Sequence, residues 1–93
     1  MPYTDLIKYE KTLKALANRR RLAIIRLLTT GEEKPVGAIV ESIKLSYKST
    51  SKHLGVLYTA GLLEREQRGS EMYYRRIARG ELTYPAKEII SML

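Results

Sequence analysis

Apolar residues return every three or four positions over most of this chain, and Asn, Gly or Pro marks the breaks between runs. Leu6, Ile7, Leu13, Leu16 and Ala17 predict a first helix, capped by Thr4 and running through about Ala17, with Tyr3 and Tyr9 widening its apolar side. Asn18 breaks that helix and caps a second, from Arg19 to about Thr30. Leu22, Ile25 and Leu28 form its core face, broadened by Ala23, Ile24 and Leu27, and Gly31 ends it. Glu32 to Pro35 reads as a polar turn, with Pro35 placed to open a third helix over about Val36 to Ile43. Ile39, Val40 and Ile43 point inward there. A short link at Lys44-Leu45 leads to a fourth helix over 46–60, capped by Ser46 and stopped by Gly61. Thr50, Leu54, Leu57 and Ala60 follow its core-facing spacing. Two strands then fit Leu62 to Gln67 and Glu71 to Ile77, around a turn at Arg68-Gly69-Ser70. Thr83 and Pro85 can start a last helix with Ala86, Ile89, Ile90 and Leu93 as its stripe and Met92 at the edge.

This order predicts one domain over 1–93, α+β but mostly helical. The third and fourth helices form a helix-turn-helix, and the hairpin beside them is a two-stranded wing. An isolated hairpin is marginal in water, so the wing must lean on the helices. The terminal segments 1–17 and 83–93 stand apart, because five elements already fill so small a core. They read as dimerisation helices contributing Leu6, Ile7, Leu13, Ala86, Ile89, Ile90 and Leu93; the plainer alternative is that the last helix only closes the monomer's own core.

Charge sharpens this picture. The chain has 17 Lys+Arg against 10 Asp+Glu, a net charge of +7. Residues 44–79 carry eight basic and three acidic side chains, so the excess concentrates in the fourth helix and the hairpin. No carboxylate occurs between Leu45 and Leu63, where one would be repelled by phosphate. Tyr47, Lys48, Ser49, Ser51, Lys52 and His53 are therefore candidate contacts to bases and phosphates of duplex DNA. Arg65, Arg68 and Arg75 are candidate wing contacts, since arginine suits a narrow, negative minor groove. An ordinary solvated helix face and a hairpin whose arginines are balanced by Glu64, Glu66 and Glu71 are the plainer alternatives. Arg19, Arg20 and Arg21 oppose the helix dipole, and read either as a solvated run or as a phosphate clamp. His53 is the only histidine, open to local packing or capping, or to a DNA contact whose strength protonation could tune.

The absence of cysteine excludes disulfides and thiolate metal sites, and one histidine makes no metal site by itself. No cofactor and no metal are expected. No apolar run approaches the ~20 residues that span a bilayer, and the first residues lack a signal-peptide core. The expectation is a soluble cytoplasmic protein without a membrane partner. Without a nucleophile, a phosphate loop or a paired metal motif, an enzyme is not expected.

Residues about 12–77 resemble the ArsR-type winged-helix regulators, and more loosely the MarR type. The matching pieces are KALANRRRLAIIRLL, LSYKSTSKHLGVLYTAGLL and the hairpin ending MYYRRI; Ser51, His53, Leu54, Leu57, Gly61 and Leu62 form the most specific part. By size and composition the chain is also similar to very short winged-helix proteins of archaea and their viruses; a virus-encoded version would work in the host cytoplasm. The resemblance implies a dimeric transcription regulator, with Tyr47, Ser49, Ser51, Lys52 and His53 at major-groove and phosphate positions and Arg68 at the wing tip. Two departures stand out. The third helix reads VGAIVESI and lacks the cysteine pair by which many such proteins hold metal. Tyr74 and Ile77 are three apart rather than two, so they cannot share a face of a regular strand; Tyr73 and Ile77 face the core, or a bulge intervenes.

The function expected is sequence-selective binding of double-stranded DNA by a homodimer, with the helix at 46–60 in the major groove and the wing at 64–77 on the minor groove. The alternatives are a winged-helix module that docks on transcription machinery, or a non-specific DNA-binding protein. Nothing in the sequence names an effector or its pocket.

Overall fold

The computed structural model describes residues 2–28, 31–82 and 84–93. Five α-helices are present: α1 (Tyr3–Leu16), α2 (Arg19–Leu27), α3 (Val36–Ile43), α4 (Tyr47–Thr59) and α5 (Ala86–Ser91). Three strands, β1 (Glu33–Pro35), β2 (Leu63–Arg68) and β3 (Glu71–Arg76), form one antiparallel sheet in the order β1-β3-β2. A 3-10 turn at Arg79–Glu81 precedes α5.

Local chemistry explains most boundaries. The Asn18 side chain accepts from the N–H groups of Arg20 and Arg21 at 2.9 and 3.1 Å, which starts α2. Ser46 Oγ accepts from Ser49 N at 3.0 Å and starts α4. Gly61 at φ 77 ends the α4 turn, a conformation that penalises any residue with a Cβ. Thr4 does not cap α1: the N-cap is Pro2, which offers no side-chain acceptor, so the helix begins one residue before the expected cap. The expected end of α2 at Thr30 and the start at Thr83 lie outside the described residues. From its N-cap Pro85, α5 runs only to Ser91.

The core gathers one face from each helix. Ile24, Ile25, Leu28, Ile39, Leu54 and Leu57 are fully buried, joined by Leu16, Val36, Leu62, Leu63 and Tyr74. Each such large aliphatic stabilises the fold by roughly 1.5–3 kcal/mol relative to exposure. Two threonines are buried with them, Thr12 and Thr50; Thr50 is wholly buried, and its hydroxyl has no hydrogen-bond partner among the described residues.

Three sequence expectations need correction. The wing is the expected two-stranded hairpin of β2 and β3, but the segment before α3 is not a loop. Glu33–Pro35, read as a turn, is a third strand that pairs Glu33 with Arg75 and Pro35 with Tyr73. Its composition is poor for a strand; β3 recruits it through its free edge, a tertiary effect that local preference does not register. Ala86 and Ile90 are not available to a second subunit, because α5 turns them into the chain's own core, where they are 1% and 6% exposed. Tyr74, not Tyr73, faces the core. The β2–β3 register runs unbroken from Leu63↔Arg76 to Arg68↔Glu71, so no bulge is present, and β3 simply ends before Ile77.

Candidate nucleic-acid interface

Helix α4 separates its two kinds of side chain cleanly. Thr50, Leu54 and Leu57 are buried, while Tyr47, Lys48, Ser49 and Lys52 are exposed and Ser51 and His53 are half-buried. Lys48 and Lys52, four residues apart, lie together on the outer face. α3 packs beside α4, joined through Lys44 in the left-handed conformation at φ 56. The N-terminal half of α4 thus stands out from the domain with hydroxyls, a phenol and two ammonium groups.

The sheet register sorts the wing arginines onto opposite faces. Leu63, Arg65, Met72, Tyr74 and Arg76 share the side toward the helices; Glu64, Glu66, Arg68, Tyr73 and Arg75 share the outer side. On the inner side the Arg65 guanidinium lies 3.8 Å from the ring centroid of Tyr58, at the end of α4. Hydrogen bonding to Tyr74, with smaller help from Tyr58, raises its pKa further. Arg76 Nε donates to the Ile25 carbonyl at 2.8 Å, which ties the sheet to the last turn of α2. Desolvation lowers its pKa, but a guanidinium stays charged.

On the outer face the cations are already paired. Arg68 reaches Glu33 and Glu66, each at 2.6 Å, and stacks over Tyr73 at 4.5 Å. Arg75 is bound to Glu64, with Nε donating at 2.8 Å. These carboxylates raise the pKa of both arginines. The three wing arginines expected to act alike are therefore unlike: Arg65 adjoins α4, whereas Arg68 and Arg75 are held by acidic neighbours. The sequence hides Glu33 as a partner because it belongs to the strand that local preference misses.

Arg21 is not a freely solvated cation but half-buried and bonded within the fold. Its Nε donates to Ala15 O at 2.5 Å, Nη2 to Lys14 O at 3.1 Å, and Nη1 lies 3.3 Å from His53 Nδ1. An arginine only donates, so Nδ1 accepts and the ring proton sits on Nε2. Burial first, then the charges of Arg21, Arg20 and Lys52, lower the His53 pKa below 6.5. His53 thus links α4 to the α1–α2 corner as a neutral imidazole. Arg19 and Arg20 stay exposed. Nothing in the spacing of Arg21, Tyr58 or Arg65 announces these contacts, which exist only once α1, α4 and the sheet are packed.

Among the described residues no three His, Cys, Asp or Glu side chains converge as metal ligands, and no helix is long and apolar enough to cross a membrane.

Residues 18–65 match the family model described as "Bacterial regulatory protein, arsR family". The chain is 35% identical over 69 residues to the arsenical resistance operon repressor of Bacillus subtilis, covering 74% of this chain and 66% of that protein. It is 42% identical over 62 residues to an HTH-type transcriptional regulator of Mycobacterium tuberculosis, covering 67% of this chain and 27% of that protein. It therefore spans about a quarter of one of these relatives and just under two thirds of the other. A solution structure from Mycobacterium bovis, of a homodimeric winged helix-turn-helix DNA-binding domain, superposes with a TM-score of 0.81 at 29% identity, covering 97% of this chain and 78% of that one. These relatives are bacterial and lend no support to the likeness to archaeal and viral proteins. With the helix-turn-helix, the start of the wing and the family match falling on the same residues, the chain belongs to the arsR family of bacterial regulatory proteins.

Proposed function

We propose that this arsR-family chain acts as a homodimeric repressor that binds duplex DNA in the cytoplasm. One observation carries the reading: the outer face of α4 is hydroxyl-rich and cationic, free of carboxylates, on a helix whose other face is locked into the core. Tyr47, Lys48, Ser49, Ser51 and Lys52 meet base edges and phosphates in the major groove. Arg65, braced by Tyr58, extends that surface from the wing. Arg68 and Arg75 join it only by leaving their carboxylates. Dimerisation is supported by the exposed apolar stripe of α1, Tyr3, Leu6, Ile7 and Leu13, with Ile89 and Leu93 from the C-terminal segment. Two copies would set their reading helices about one helical turn of DNA apart, roughly 34 Å. Repression is supported by the Bacillus subtilis relative, itself an operon repressor.

The test is selection of bound duplexes from a random pool by the purified protein. A motif with two-fold symmetry, bound less tightly by Lys52→Ala, is the expected result. A pool with no enrichment would move the assignment to non-specific binding or to docking on another protein.

A further inference from the structure

A groove of about 550 Å³ lies between the C-terminal half of α1 and the outer flank of α4. That size falls in the range of small-molecule sites, roughly 300–1,000 Å³. Its rim carries Lys11 and Lys14 from α1, Arg21 from α2 and Lys52 from α4. Ala15, Val56 and Ala60 supply apolar lining, and no carboxylate lines the groove.

The charge here is uncompensated. Among the described residues Lys11, Lys14 and Lys52 make no ion pair, in contrast to Arg68 and Arg75 of the wing. The Arg21 guanidinium is fixed in place by the two α1 carbonyls and His53. Burial is the main cause of the lowered His53 pKa, and the charges of Arg21, Arg20 and Lys52 add to it in the same direction.

We infer that this groove binds a small amphipathic organic anion, with its acidic head among Lys11, Lys14 and Lys52 and its apolar body over Ala15, Val56 and Ala60. The apolar lining favours such a ligand over a bare phosphate, which would use only the rim. A second copy of α1 is a poor occupant, because its three lysines outnumber Asp5 and Glu10 and would meet the same cations. Lys52 belongs to both surfaces. An anion that holds Lys52 withdraws it from DNA, so ligand and duplex weaken each other by the same factor. The competition rests on the DNA-binding reading above; the binding of the anion does not.

The probe is anilinonaphthalene sulfonate, titrated into the full chain without DNA and followed by fluorescence. Saturable one-site binding is expected, weakened about fivefold by either Lys14→Gln or Lys52→Gln, surface changes that keep the fold. Val56→Asp should remove binding, whereas Ile7→Asn, on the separate exposed stripe of α1, should leave it unchanged. Decanoate should displace the dye more strongly than uncharged decanol, and should lower duplex affinity in the same concentration range. Equal dye affinity in both lysine variants would overturn the site, as would loss of binding in Ile7→Asn alone. Dye release as self-association increases would overturn it too, by showing that another copy covers the groove. Displacement by decanoate without any change in duplex affinity would overturn the competition. A protein that binds the dye as described but no duplex would instead count against the DNA-binding reading.

Discussion

Replacing Arg21 with Met removes the contacts that close the end of α1, and the loss can be worked from the carbonyls. The last four carbonyls of a helix have no partner within it. In α1 they belong to Leu13, Lys14, Ala15 and Leu16. Leu13 O accepts from Ala17 N and Leu16 O from Asn18 N, both at 2.8 Å. Lys14 O and Ala15 O are satisfied by Arg21, whose third arm reaches His53 on α4. Arg21 is half-buried, so each lost hydrogen bond contributes a net of about 1 kcal/mol. Loss of a cation at a helix C-terminus adds about 0.3–1 kcal/mol. The expected destabilisation is roughly 2–3 kcal/mol, or about 10–20 °C in Tm for a domain of this size. Urea unfolding followed by circular dichroism measures it, at one fixed protein concentration so that self-association does not shift the midpoint. Arg21→Lys should recover little, since an ammonium lacks the fork that serves two carbonyls at once. A loss below about 0.5 kcal/mol for Arg21→Met would refute the reasoning, by showing that water serves those carbonyls equally well.

His53 should make stability sensitive to acid. Its folded pKa lies below the 6.5 of the unfolded chain, so the unfolded state takes up the proton first. Stability is therefore complete above about pH 6.5 and declines as pH falls below it, and His53→Gln should flatten that decline; identical pH profiles for the two proteins would sink the idea. Glu33→Gln combined with Glu66→Gln frees Arg68 from both carboxylates. Duplex affinity should rise, and the log–log salt slope should steepen by about 0.9 for each additional phosphate neutralised; anisotropy titrations showing neither change would mean that Arg68 does not reach DNA. Thr50→Val removes a buried hydroxyl without a protein partner and should stabilise the fold by about 1 kcal/mol in the same urea assay. A fall in stability would show that the hydroxyl is satisfied.

Much of the site was legible before any coordinates. Ser46 as cap, Thr50, Leu54 and Leu57 as the inner face, and Gly61 as the stop follow from neighbours within one or two turns. The same holds for Asn18 and for the Gly69 turn of the wing. Arg68 and Arg75 were legible as cations but not as ion-paired ones. Their state depends on which residues stand across the sheet, and Glu33 arrives there from thirty-five positions away in sequence.

What the sequence by itself determined is the helix-turn-helix, its polar outer face and the basic bias of the region, because caps, periodicity and charge are properties of short segments. Tertiary structure alone decided the third strand, the inward turn of Ala86 and Ile90, the division of the wing arginines between two faces, and the groove between α1 and α4. Each of these depends on packing between segments distant in the chain. A side chain's charge is written in the sequence, but its partner is set by which backbone the fold brings within hydrogen-bonding reach.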